Sequence, residues 1–155
     1  MSTIVIDSTV LIAHLRGDSR ATDLLLAHDR EDRLVSVVSR IELEGGMRSG
    51  ERADVARLLG VVTLVPVSDV IAQRAGQFLR SYRRSHQGID LADYVIAATA
   101  EVRDAALATL NVKHFPMIRG LRPAWGGIGA SRTAGGRGGG RRGRTGRSPR
   151  RWRPR

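Results

Sequence analysis

No cysteine occurs among the 155 residues, which excludes disulfides and thiolate metal sites and is compatible with a reducing compartment. No apolar run approaches the ~18 residues that a membrane span requires. The N-terminus lacks the basic stretch and long apolar segment of a secretory signal, because Asp7 interrupts the apolar residues almost at once. A soluble, cytoplasmic chain without membrane contact is the expectation. Acid is missing from one region: residues 126–155 hold ten Arg, ten Gly and no Asp or Glu. Removing those ten charges from the formal net charge of +11 leaves about +1 for residues 1–125. The basic character therefore belongs to the tail, and the remainder is nearly neutral.

The length suits one domain with room for a core. Residues 3–6 are a short β-branched run of the kind found in buried parallel strands. Helical apolar spacing follows from Val10 to Leu15, closed by Gly17, and returns over 19–28. Residues 34–38 read as a second strand, with Ser39 capping a helix that carries Glu42 and stops near Gly50. A helix over 51–60 leads to a strand over 61–67, whose Pro66 suits a strand end. A long helix over 68–82, a helix over 90–103 and a strand over 105–110 complete the alternation. That rhythm predicts an α/β fold, a three-layer α/β/α sandwich around a short parallel sheet. Residues 1–125 make up that domain, and 126–155 are too rich in Gly and Arg to bury a core and are expected to be disordered.

Four acids stand at the ends of apolar segments. Asp7 closes the first strand, Glu42 follows the second, and Asp90 and Asp93 open the apolar helix. Ligands of parallel sheets collect beyond the carboxyl ends of the strands, so these acids can share one edge with Asn111 and His114. Hard oxygen ligands gathered there suit Mg²⁺ or Mn²⁺. Each acid also has a plainer reading. Asp7 can cap a helix, Glu42 can be a first-turn acid favoured by the helix dipole, and Asp90 can be a cap with Asp93 three residues on. Ser8 or Thr9, Thr109 and Asn111 can orient waters or carboxylates, and His86 reads as a solvated loop residue.

The order of the motifs is more telling than any single acid. Ile4-Val5-Ile6-Asp7-Ser8-Thr9, then Ser36-Val37-Val38-Ser39 with Glu42-Leu43, then Asp93-Tyr94-Val95-Ile96-Ala97-Ala98-Thr99-Ala100, then Ala108-Thr109-Leu110-Asn111-Val112-Lys113-His114-Phe115 resembles the PIN-domain family. Within it, the chain looks most like the VapC ribonuclease toxins of bacterial VapBC toxin–antitoxin pairs, over about residues 2–123. The resemblance implies a metal-dependent endoribonuclease in which Asp7, Glu42 and Asp93 hold Mg²⁺ or Mn²⁺. Many members carry a fourth acid where this chain has His114, and Asp90 is a candidate for the missing charge. The resemblance also implies a VapB-like antitoxin that blocks the site, an RNA substrate and a homodimer. Apolar residues on the helices at 51–60 and 68–82 are candidates for the dimer surface.

The tail lies outside the resemblance and admits two readings. It is a non-functional extension, or an arm whose arginines, Arg141, Arg142, Arg144 and Arg147 among them, neutralise RNA phosphates. The altered fourth position leaves one alternative for the whole chain: a catalytically impaired PIN-like protein that binds RNA through such an arm.

Overall fold

The computed structural model describes residues 2–126. The expectations for the arginine-rich tail therefore lie outside the described residues. Within them, strand β1 (Ile4–Ile6) is followed by α1 (Ser8–Leu15) and α2 (Ser19–Leu26). Strand β2 (Arg33–Ser36) leads to α3 (Val37–Gly46) and α4 (Arg52–Gly60). Strand β3 (Thr63–Val65), α5 (Asp69–Tyr82), α6 (Leu91–Val102) and β4 (Ala106–Ala108) complete the fold. The strands form one parallel sheet in the order β3-β2-β1-β4. None of these helices is long and apolar enough to cross a membrane.

Alternate strand residues feed two cores, which is why both faces must be covered by helices. Val5, Leu34, Val65 and Leu107 pack on one face with Ile71, Phe78, Tyr94 and Val95 of α5 and α6. Ile4, Ile6, Val35 and Ala108 pack on the other with Val10, Leu11, Leu25, Leu43 and Leu58 of α1 to α4. The three expected layers are there. Helix α6 is buried at every position from Tyr94 to Ala100, as befits a helix apolar all round. Its opening turn is thereby held rigidly at the carboxyl edge of the sheet. On the outer side, Arg74 of α5 makes a two-pronged bond to Glu101 of α6 at 2.9 and 3.0 Å.

The strands are shorter than the apolar runs suggest, and one boundary moves in a way that matters. β2 ends at Ser36 rather than Val38, and α3 begins at Val37. The cap is Ser36, whose Oγ accepts the Val38 N–H at 3.4 Å, and not Ser39. Ser39 is instead inside the first turn, fully buried, and its hydroxyl has no hydrogen-bond partner among the described residues. α3 stops at Gly46, short of Gly50. Two β-branched valines carry a strand signal in sequence, but the serine before them captures a helix N-terminus and wins locally.

Candidate active site

The site begins where β1 leaves the sheet. The Asp7 N–H still donates to the Ala108 carbonyl of neighbouring β4 at 2.9 Å. Asp7 occupies the N-cap position of α1, yet its side chain makes no cap hydrogen bond. Its carboxylate turns toward hydroxyls instead. Oδ2 accepts from Thr9 Oγ1 at 2.7 Å and from Thr109 Oγ1 at 2.8 Å. Each threonine oxygen also accepts a backbone N–H, Thr9 from Leu110 at 3.1 Å and Thr109 from Asn111 at 2.9 Å. Those N–H groups occupy acceptor positions on the threonines and leave the hydroxyl protons for Asp7. A carboxylate only 2% exposed needs such donors. Asn111 thus enters through its backbone, which props Thr109.

Glu42 is the sixth residue of α3, because that helix starts at Val37. It is not the first-turn acid that the sequence allows, and the dipole field has faded by the second turn. Its anchor is Ser8, whose Oγ lies 3.2 Å from Glu42 Oε2 and 3.4 Å from Asp7 Oδ1. One hydroxyl links two acids from different segments. Although the residue as a whole is exposed, burial around its carboxyl raises the Glu42 pKa, and the negative charge of Asp7 adds to the rise. The Ser8 bond opposes it, while Asp93 and Asp90 push further upward. Glu42 therefore senses the charges of Asp7, Asp93 and Asp90 across the edge.

Helix α6 supplies the other two acids. They stand as the N-cap and third residue of a capping box, and the bond of full strength runs backward: the Asp90 N–H donates to Asp93 Oδ2 at 3.0 Å. The other half of the box, from the Asp93 N–H toward the Asp90 carboxylate, falls short of a full cap hydrogen bond, and Asp90 is exposed at the rim. The same Asp93 Oδ2 lies 3.0 Å from His114 Nδ1, so both bonds fall on one oxygen and Oδ1 lies outside them. Burial raises the Asp93 pKa, the Asp90 N–H and the His114 ring hold it back, and the Asp7 charge adds to the rise. His114 sits on the turn Val112–His114 that follows β4. Its contact with Asp93 has no signature in the sequence, since 21 positions separate the two. The Ser8 link to Glu42 spans 34 positions and is equally silent there.

Four acids thus reach one edge from three segments, ringed by Ser8, Thr9, Thr109 and His114. Their donors are hard oxygens of the kind Mg²⁺ and Mn²⁺ prefer. Among the described residues, no three of these acids and histidines close around one point as a ready cage. Mg²⁺ takes one or two carboxylates and keeps several waters, so a loosely gathered set fits it better than it fits a fully dehydrated ion.

A parallel sheet in this order, with acids at its carboxyl edge, defines a class. The chain belongs to the PIN-domain family, whose sequence profile, described as PIN domain, matches residues 4–118. Within that family it is a VapC-type ribonuclease toxin. It is 55% identical over 121 residues to ribonuclease VapC10 of Mycobacterium tuberculosis, a match covering 77% of this chain and 91% of that protein. It is 43% identical over 123 residues to ribonuclease VapC19 of the same organism, covering 78% and 98%. In structure it is similar to a toxin–antitoxin complex from Klebsiella pneumoniae, with a TM-score of 0.67 and 23% identity. That match covers 79% of this chain and 98% of the other, and at this identity it speaks for the fold.

Proposed function

We propose that Asp7, Glu42 and Asp93 hold a divalent cation, Mg²⁺ or Mn²⁺, with which this ribonuclease hydrolyses RNA phosphodiester bonds. The observation that carries the reading is the gathering of these acids from three segments at one edge, with Ser8 reaching both Asp7 and Glu42 and like charge contributing to the raised pKa of Glu42 and Asp93. Carboxyls pressed together against burial and like charge are relieved by a cation. Such an ion, when bound, lowers the pKa of its water and neutralises charge on the phosphate. The protein's own groups orient the acids. Thr9 and Thr109 fix Asp7, Ser8 ties Glu42 to it, and His114 with the Asp90 N–H pins Oδ2 of Asp93, with Oδ1 outside both bonds. Asp90 supplies further negative charge at the rim.

The likeness to toxin–antitoxin assemblies supports a VapB-like antitoxin as the partner that covers this edge and a growth-inhibiting role for the cleavage. A homodimer is part of the same reading, and Val70, 59% exposed on α5, is an apolar residue available to it. The test is cleavage of a labelled RNA with Mg²⁺ and with EDTA, beside metal-linked thermal stabilisation. The wild type is expected to cut only with metal and to melt higher in its presence. Asp93→Asn is expected to lose at least about 10²-fold in rate while remaining folded. Cleavage at the wild-type rate by that variant, or a melting temperature indifferent to metal, would sink the assignment.

A further inference from the structure

A cluster of carboxylates repels the polyanion it must cut, so an RNA nuclease of this kind needs cations beside its acids. The folded domain is nearly neutral as a whole, and its charges are unevenly distributed. Arg20, Arg40, Arg57 and Arg74 each pair with an acid. Between Asp69 and Asp90 the chain carries four arginines and no acid. Only Arg74 of these four finds a carboxylate; among the described residues Arg80, Arg83 and Arg84 have none, and all three are exposed.

The segment that carries Arg83 and Arg84 is a built turn. The His86 and Ser85 N–H groups both donate to the Tyr82 carbonyl, at 2.9 and 3.1 Å. Ser85 Oγ lies 2.8 Å from His86 Nδ1. The rings of Tyr82 and His86 meet edge to face with centroids 5.4 Å apart. Tyr82 and Ile89 anchor the two ends in the core under α6, and Gly88, at φ +83°, reverses the chain. Asp90 follows two residues later. Lys113, next to the His114 that touches Asp93, is likewise exposed and without an acid among the described residues.

We infer that the turn over residues 82–88 is an RNA-docking element, in which Arg83 and Arg84 take backbone phosphates and His86, braced by Tyr82, offers a face to an unpaired base. Single-stranded RNA is held by this combination of phosphate neutralisation and ring stacking. Lys113, adjacent to the His114 that meets Asp93, supplies a further cation for the backbone beside the acids. The inference rests on the ribonuclease reading, but it concerns binding and needs no metal.

The experiment measures binding of a short fluorescein-labelled single-stranded RNA to the full chain in EDTA over a series of KCl concentrations. Cleavage of the same RNA in Mg²⁺ is measured alongside. Arg83→Ala/Arg84→Ala is expected to weaken binding about tenfold and to lower the salt slope by about 1.4, two phosphates at ~0.7 each. His86→Ala is expected to lose about fivefold with the slope unchanged. Arg103→Ala, at the other end of α6, should leave both intact. The tail arginines are present in every variant and cancel in the differences. If the double variant binds and cuts as the wild type does, the docking element is refuted while the nuclease reading stands. If affinity and slope fall but the wild type cuts nothing, docking is upheld and the nuclease reading fails.

Discussion

Helices α1 and α6 both open on an aspartate in the N-cap position at the same edge of the sheet, and they use it in opposite ways. At α1 the N-cap acid itself, Asp7, abandons the helix and is fixed from outside by Thr9 and Thr109. At α6 the N-cap acid, Asp90, stays exposed, and the acid three residues on, Asp93, reaches back to the cap and is met by His114. The same local sequence chemistry gives one buried acid clamped by neutral hydroxyls and one half-buried acid clamped by an imidazole and a backbone amide. A cap position alone does not tell how its carboxylate is used; the residues arriving from β4 decide it.

Removing the clamp at α1 should have the largest effect. Thr109 is fully buried, and Thr109→Val keeps its shape while removing the hydroxyl. Asp7 then loses a donor, and the Asn111 N–H loses its acceptor. Unfolding is expected to become easier by about 1.5–3 kcal/mol, and RNA cleavage to fall about 10–100-fold. Thermal melting and a cleavage time course check both. A variant unchanged in either would mean that the threonine bonds are ornamental.

The clamp at α6 should give way more gently. His114→Ala removes one of two bonds to Asp93 Oδ2 and leaves the Asp90 N–H in place. Cleavage is expected to fall about tenfold, with stability changed by less than about 1 kcal/mol because the pair is partly solvated. His114→Asn keeps a donor near the Nδ1 position and should recover most of the rate. If alanine and asparagine were equally impaired, the imidazole would have a role other than holding Asp93.

Much of this edge was legible in the sequence, for identifiable reasons. Strand β1 and the carboxylate that ends it are adjacent in the chain, so Asp7 could be placed from Ile4, Val5 and Ile6 alone. Helix α6 declares itself by seven apolar or small residues in a row after Asp93. The clamps were less visible because they are contacts between segments. Thr109 meets Asp7 across 102 positions, and His114 can be placed at this edge and seen to depart from the family pattern, but nothing in the sequence shows it as the partner of Asp93 that it is in the structure. The start of α3 is ambiguous in the sequence because Val37 and Val38 suit a strand as well as a first helical turn. Its shift carried Glu42 from the first turn to the second and replaced a dipole explanation with the Ser8 link.

The raised pKa values of Glu42 and Asp93 fix the sign of a pH effect on the metal-free protein. The folded state binds these protons more tightly than the unfolded chain does, so stability falls as pH rises through the folded-state values. In EDTA, the melting temperature should therefore climb as pH drops from neutral toward the ordinary carboxylate range near ~4, where this contribution is complete. Solvent screening at the open edge keeps it below roughly 1 kcal/mol. Glu42→Gln should flatten part of the climb, and Mg²⁺ should oppose it by favouring the ionised acids. A melting temperature that falls steadily over that range, in both wild type and variant, would contradict the shifts.

The smallest expected effect is also the most direct probe of the α1 and α6 contrast. An N-cap aspartate replaced by alanine ordinarily costs about 0.5–2 kcal/mol. At α6 the full-strength bond is donated by the Asp90 backbone N–H and accepted by Asp93, and both survive Asp90→Ala. The loss should therefore stay within about 0.5 kcal/mol, measured by urea unfolding in EDTA, with cleavage in Mg²⁺ reduced only through the charge lost at the rim. A cost above 1 kcal/mol would make Asp90 a working cap after all. A rate loss matching that of Asp93→Asn would instead make it a ligand equal to the other three acids, and the division of labour at the start of α6 would have to be redrawn.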